Sequence, residues 1–336
     1  MTYVSEKALG VSANDPVGIP KVRHPILLGD IGATNARFAE LIDGELGRVT
    51  SFHVARFPKV EDVLRTYLSD YASTQGFTNV LLAVAGPIDH GRAMLTNTPW
   101  IVDPRDLKVS FGFDVQIAND FEAVAYSLPS LATADLMQIG QGKAEKGAPK
   151  VALGPGSGLG MACLIEREGK RVVVASEGGH ASLAGNSDRE DAIIEMLRRR
   201  FGHASAERAI SGPGLENTFQ AIVALDGVDM SQMSAAEITQ RALKNECKVA
   251  HEALGTFCAL LGSFAGNIAL TFGARGGVYI AGGISPRIVD FLARSQFRAR
   301  FEQKGRFQGY LEQIPSYVIV HPAAAFLGLK FRIEHP

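Results

Sequence analysis

Asp30 is a carboxylate at a place where a buried strand should carry no charge. It closes the apolar run that begins at Ile26, and the small-residue loop Gly32-Ala33-Thr34-Asn35 follows at once, in the stretch LLGDIGATNARFAEL. Consecutive backbone N–H groups in a tight loop form an anion-binding concavity, and glycine lets the backbone come close to the anion. A carboxylate beside such amides is where Mg²⁺ would be held, with several of its waters kept. The bland alternative is a turn-forming Asp. A second glycine-rich loop, GPGSGLG, runs from Gly154 and contains Gly156, Ser157 and Gly158. Two such loops could grip the phosphates of one nucleotide. Familiar phosphate loops are excluded: no G-x-x-x-x-G-K-[ST] occurs, and GPGSGLG misses G-x-G-x-x-G in every register. It also leads into a strand, where a dinucleotide fold needs a helix.

Further positions carry chemistry. Asp120 falls just past an apolar strand and at a helix start, where a carboxylate would face a cleft and act as a base; the alternative is a helix cap. Glu177 and His180 come as E-G-G-H, yet a catalytic zinc takes three protein ligands and no third is evident nearby. Glu207 reads as a charge on the outer face of an amphipathic helix. Arg37 reads either as a phosphate contact or as a surface residue.

The elements that must position these groups show in the pattern. Strands are expected at Ile26–Asp30, Arg37–Ile42, near Val49–Val54, at Val80–Ala85 and at Asp114–Ala118, with Asp43-Gly44 as a hairpin turn and a helix over Lys59–Ser73. The order then recurs, with strands at Val151–Gly154, Leu159–Glu166 and Lys170–Ala175. Gly29 stands fifteen residues before Gly44, and Gly154 fifteen before Gly169, which suggests an internal duplication of one hairpin unit. Ser187 with Glu190 reads as a capping box, Ser285-Pro286 as a helix start after a strand at Val278–Ala281, and a last helix starts near Ala323 after a strand at Tyr317–Val320. Mixed strands and helices in two similar halves imply an α/β protein with a cleft between them.

At 336 residues, two domains are the default. The chain is 46% hydrophobic and 21% charged, with a formal net charge of -1 and no basic or acidic run, so neither nucleic acid nor a polycation is an expected partner. Three cysteines without a C-x-x-C pair read as reduced core thiols of a cytosolic protein. The first 24 residues carry Glu6 and Asp15 and no apolar signal core, and read as a loosely ordered arm. The most apolar segment, Phe257–Phe272, is interrupted by Ser263 and Asn267 and reads as a buried helix rather than a membrane span.

The strings GDIGATNAR, AGPI, TNTPW, NDFEA, GPGSGLG, SEGGH, HASAERAISGPG and YIAGGI occur in that order. From about Leu27 to Leu329 the chain thereby resembles the bacterial ATP-dependent glucokinases of the hexokinase–actin superfamily. The resemblance implies two actin-like (ribonuclease H-like) α/β domains with a central cleft, divided as a flexible lead 1–24, a smaller domain 25–130 plus 321–336, and a larger domain 131–320. It implies D-glucose and ATP as substrates with Mg²⁺, a cytoplasmic location and a homodimer, with no nucleic acid or membrane partner. Asp120 matches the base that takes the proton of the sugar's 6-hydroxyl as the γ-phosphoryl arrives. Asn119, Glu177, His180 and Glu207 match positions that bind glucose, and Asn97 falls beside the sugar, while Trp100 reads as core. For the nucleotide, Thr34 and Asn35 with Gly32 and Ala33 line the first phosphate loop, Ser157 and Gly158 with Gly156 the second, and Gly282 and Gly283 flank the adenosine; Asp30 holds the Mg²⁺. The segment ASLAG after SEGGH departs from the acidic or aromatic character expected there, and the cysteine-rich zinc motif of the related repressor/open-reading-frame/kinase group is absent. A kinase for another hexose, such as mannose or fructose, and a non-catalytic sugar sensor stay open as rivals; the sensor would need a DNA-binding helix pair, which the lead does not show.

Overall fold

In the computed structural model, which describes residues 25–73, 76–95 and 98–335, two mixed sheets repeat one strand plan. The lead 1–24 and Asn97 lie outside the described residues. In the first sheet β1 (Ile26–Ile31) pairs antiparallel with β2 (Asn35–Ile42), along which β3 (Glu45–Leu46) and β4 (Thr50–His53) return. α1 (Val60–Asp70) then crosses to β5 (Asn79–Val84), parallel to β1. A small sheet of β6 (Ile88–Asp89), β7 (Arg92–Met94) and β8 (Ile101–Val102) precedes α2 (Pro104–Phe111), β9 (Asp114–Asn119), which lies parallel to β5, and α3 (Asp120–Ser127).

The second sheet starts from an outer strand, β10 (Leu136–Ile139), and continues with β11 (Lys150–Pro155), β12 (Leu159–Arg167) and β13 (Lys170–Ser176). Helices α4 (Asp188–Phe201), α5 (Gly212–Asp226), α6 (Ala235–Leu243) and α7 (Lys248–Phe272) follow, then β14 (Val278–Ile280). Next come α8 (Val289–Arg294), α9 (Phe297–Glu302), α10 (Gln308–Glu312), β15 (Ser316–Ile319) and α11 (Ala324–Glu334). The first sheet runs β3-β2-β1-β5-β9 and the second β13-β12-β11-β14-β15, with β10 added outside β15. Both hairpins turn through two residues with positive φ, Asp43 (51°) and Gly44 (83°) in one, Glu168 (53°) and Gly169 (73°) in the other. That is the twist-matched two-residue turn, used at the same place in both sheets.

The expected third strand near Val49–Val54 is present as β4, Thr50–His53, separate from the short β3 before it. The Gly47 N–H bonds the Glu40 carbonyl between β3 and β4, which interrupts the pairing with β2. Ser187 caps α4 by accepting the Glu190 N–H at 3.2 Å, but the Glu190 carboxylate does not answer with the Ser187 N–H. It takes the Asn186 N–H at 2.7 Å and the Arg300 guanidinium at 2.9 Å, because a buried carboxylate is better served by a charge-assisted pair. Ser285-Pro286 opens a 3₁₀ turn before α8 rather than an α-helix directly.

α7 runs through the interior of the larger core, with Phe257, Leu260, Leu261 and Phe264 buried. Its length and composition would pass for a membrane span; what it meets instead is protein. Gly262 faces the Phe297 carbonyl of α9, where any Cβ would overlap the backbone. Ser263 is satisfied within the core by Asn186 Nδ2 at 2.9 Å and Lys304 Nζ at 3.1 Å. α11 returns to the first sheet, where Phe326 and Leu329 pack with Leu28, Leu81 and Ala83. α3 lies between the sheets: Ala123 joins that cluster, while Phe121, Ala125 and Leu128 pack with Ala152, Ala162 and Tyr279 of the second sheet.

Candidate active site

Parallel pairing sets the ends of β1, β5 and β9 level, with Asp30 beside Ala83 and Val84 beside Asn119. In open α/β sheets ligands bind outside the carboxyl ends of parallel strands. β11 and β14 present their own ends from the second sheet, and both crevices open into one cleft of about 430 Å³. From the first side come Asp30, Gly32, Ala33, Thr34, Asn35, Asn119 and Asp120. From the second come Gly156, Ser157, Gly158, Gly282 and Gly283, with Glu177, His180 and Glu207 at the same cleft. Every sequence-predicted site residue that the structure describes therefore meets at one place, though chain positions 30 to 283 separate them.

Each glycine loop spends one amide on itself and keeps two. In the first, the Gly32 N–H closes the turn on the Asn35 carbonyl at 2.9 Å, and the N–H groups of Ala33 and Thr34 have no hydrogen-bond partner among the described residues. In the second, the Gly156 N–H bonds the Gly158 carbonyl at 2.8 Å, which leaves those of Ser157 and Gly158. Paired free amides in a tight loop are an anion cradle, and here there is one on each side.

Asp120 does not cap α3. The cap is Asn119, whose side-chain oxygen accepts the Phe121 N–H at 2.9 Å and the Glu122 N–H at 3.3 Å. One oxygen of Asp120 accepts the same Phe121 N–H at 2.9 Å, and the carboxyl stays at the cleft. Burial first, and then the negative charges of Asp30 and Glu177, push it up to about 7. Asp30 is itself raised by burial, opposed by the cation of Arg37. Arg37 is the cross-strand partner of Asp30, with Nη1 3.2 Å from Oδ2, so it is a cleft residue and not merely surface.

Glu177 and His180 flank a 3₁₀ turn at Gly178–His180, their side chains 3.8 Å apart and both open to solvent. The two glycines between them have a packing reason: a Cβ on Gly179 would strike the Leu159 carbonyl, and one on Gly178 the Met161 sulfur. Glu207 is not in an amphipathic helix. It sits in the 3₁₀ turn Ala206–Arg208, which is tied to the Glu177–His180 segment by the Ser182–Ser205 bridge and the Ala206 N–H on the Ala181 carbonyl. The periodicity of HASAERAISGPG ran through this turn into α5 and concealed the break.

Gly282 must be glycine for backbone reasons, since its φ is +83° and a Cβ would overlap the Pro155 carbonyl. Gly283 beside it has open space. Arg287 was missed by sequence reasoning. It lines the cleft one turn beyond Gly283, exposed, and no ion pair or side-chain hydrogen bond holds its guanidinium among the described residues. The available signal was a basic residue four positions after a strand-end glycine pair. Trp100 is core, 2% exposed, with its indole N–H on the Phe57 carbonyl.

The donor set suits Mg²⁺ rather than zinc. Among the described residues no group of three or more His, Cys, Asp or Glu could hold a metal by itself. Mg²⁺ uses one or two carboxylates with waters and substrate phosphates, and Asp30 lines the same cleft as Asp120 and the first amide loop, close enough for its charge to act on Asp120.

A family model described as Glucokinase matches residues 27–335. The chain is 43% identical over 305 residues to the glucokinase of Cronobacter sakazakii, covering 90% of this chain and 94% of that protein. Among solved structures, a glucokinase from an Antarctic psychrotroph superposes with a TM-score of 0.80 at 36% identity, over 93% of this chain and 99% of that one. The Balamuthia mandrillaris glucokinase in complex with glucose shares the fold, with a TM-score of 0.74 at 23% identity over 92% and 93% of the two chains. With paired sheets of the actin-like plan and one cleft between them, this chain belongs to the glucokinase family.

Proposed function

We propose that the cleft transfers the γ-phosphoryl of ATP to the 6-hydroxyl of D-glucose with Asp120 as general base. The observation that carries this is the position of Asp120 in the same cleft as both unpartnered amide loops, with a carboxyl raised to about 7. A base with that value is ionised over part of the neutral range and still accepts a proton well. Asp120 takes the proton of the 6-hydroxyl, the freed oxygen attacks the γ-phosphorus, and the bridging oxygen leaves with ADP. Phosphoryl transfer of this kind depends mostly on positioning and on donors around the moving charge.

The remaining residues divide by chemistry. Ala33, Thr34, Ser157 and Gly158 offer amides to the phosphates, Gly282 and Gly283 leave room for the adenosine, and Arg287 supplies a free cation. Asn119, Glu177, His180 and Glu207 present the mixed donors and acceptors that suit a ring of hydroxyls. Mg²⁺ held by Asp30 would neutralise charge developing on the β- and γ-phosphoryl oxygens. α3, packed against both sheets, is a natural pivot for closure of the lobes 25–130 with 321–336 and 131–320 over the sugar, which would exclude water as a rival acceptor. A cytoplasmic homodimer completes the reading on the family resemblance.

The test is sugar-dependent ADP release with Mg-ATP across glucose, mannose, fructose and N-acetylglucosamine, for the wild type and Asp120→Asn. Turnover on glucose that falls by several orders of magnitude in the variant supports the reading. Preference for another sugar would keep the mechanism and change the substrate. Glucose binding without turnover on any sugar would refute it.

A further inference from the structure

Glu207 holds more than a place in the sugar pocket. Its Oε2 accepts the Leu159 N–H at 2.9 Å, where the second glycine loop enters β12. It lies so close to the loop that a Cβ on Gly158 would stand 2.6 Å from the same oxygen. The other flank of the loop is held by the same segment, because the Gly212 N–H at the start of α5 bonds the Gly156 carbonyl at 2.8 Å. Residues 207–212 thus grip the loop on both sides of Ser157 and Gly158, the two residues whose amides are free. Glu207 Oε1 has no hydrogen-bond partner among the described residues.

We propose that Glu207 is a positioning residue that couples hexose occupancy to nucleotide affinity: one carboxylate oxygen braces the second phosphate loop while the other is left for a sugar hydroxyl. This rests on the reading of Glu207 as a glucose ligand and adds a second role to it. A hydroxyl donating to Oε1 fixes the side-chain rotamer, and the bond from Leu159 then fixes the loop whose amides face the phosphates. Glucose and nucleotide therefore bind each other's complex more tightly than the free protein, by the same factor in both directions.

The experiment is calorimetric titration of Mg-AMPPNP with and without glucose, and of glucose alone, into the wild type, Glu207→Ala and Glu207→Gln. A residue that only binds sugar would leave the sugar-free nucleotide affinity alone. The brace predicts that Glu207→Ala weakens sugar-free Mg-AMPPNP binding by about tenfold and abolishes its enhancement by glucose. Glu207→Gln, whose amide oxygen still accepts from Leu159, should stay within about twofold of the wild type without sugar. Unchanged sugar-free affinity in Glu207→Ala would overturn the proposal. Weakened nucleotide binding with glucose affinity unchanged would overturn the coupling and the sugar-ligand reading together, and leave the kinase assignment standing.

Gly158→Ala supplies an independent arm, because its methyl displaces the Glu207 carboxylate without removing it. It should weaken sugar-free nucleotide binding in the wild-type background and change it less than about twofold in the Glu207→Ala background. An equal loss in both backgrounds would mean that the methyl touches the nucleotide directly, and would sink the link.

Discussion

The ring of Phe121 rests on Gly160 so closely that a Cβ on Gly160 would overlap the ring edge. Phe121 is the residue after Asp120 at the start of α3, and Gly160 is the second residue of β12 in the other sheet. The contact therefore ties the start of α3, where Asp120 stands, to the strand that follows the glycine loop Gly156–Gly158.

Gly160→Ala should push Phe121, and with it Asp120, away from the loop. Misplacing a catalytic group by about 1 Å can cost about a hundredfold in rate. We expect kcat to fall by about that factor while glucose affinity changes little. Adding Phe121→Leu, which shortens the ring side chain, should recover part of the loss. A single variant with normal kcat would show that the contact does not position the base.

The acid limb of the pH profile should report Asp120. Its raised value predicts that kcat/KM for glucose climbs with pH and levels off above about 7. Stability moves the other way. The folded carboxyl holds its proton up to about 7 while the unfolded one releases it near 3.8, so the folded state binds more protons between these values. Its contribution to stability is fully present below 3.8 and is lost as pH rises through about 7. Asp120→Asn should remove that decline, which urea unfolding of both proteins at pH 5 and pH 8 would show.

Asp30 enters the same profile from a second direction. Its charge helps to raise Asp120, so Asp30→Asn should move the acid limb to lower pH. It should also raise the Mg²⁺ concentration that half-saturates AMPPNP binding by about tenfold or more. A variant that shifts neither quantity would leave Asp30 as the ion-pair partner of Arg37 and nothing else.

Arg287→Ala tests the free cation of the cleft. Its KM for ATP should rise by about fivefold to tenfold, with KM for glucose unchanged. AMP affinity, measured by calorimetry, should not move if the guanidinium meets the β- or γ-phosphoryl. Equal losses for AMP and ATP would place it on the nucleoside instead.

The hairpin turns at Asp43-Gly44 and Glu168-Gly169, the buried helix over Phe257–Phe272 and the strands that carry Asp30 and Asp120 were legible because each follows from local rules. Two adjacent positive-φ residues need Gly or a tolerant polar residue, a buried strand needs an unbroken apolar run, and a small-residue loop after it marks free amides. From these the sequence determined the repeated α/β plan and the chemistry of the two loops. It did not determine which oxygen does what. Asn119 rather than Asp120 caps α3, Glu190 deserts its capping box for Arg300, and Glu207 stands in a 3₁₀ turn against Leu159. Each of those outcomes is a choice among partners brought together from distant parts of the chain. A carboxylate takes the strongest donor within reach, and only the packing of α3 between two sheets and of residues 207–212 against the glycine loop decides which donor that is.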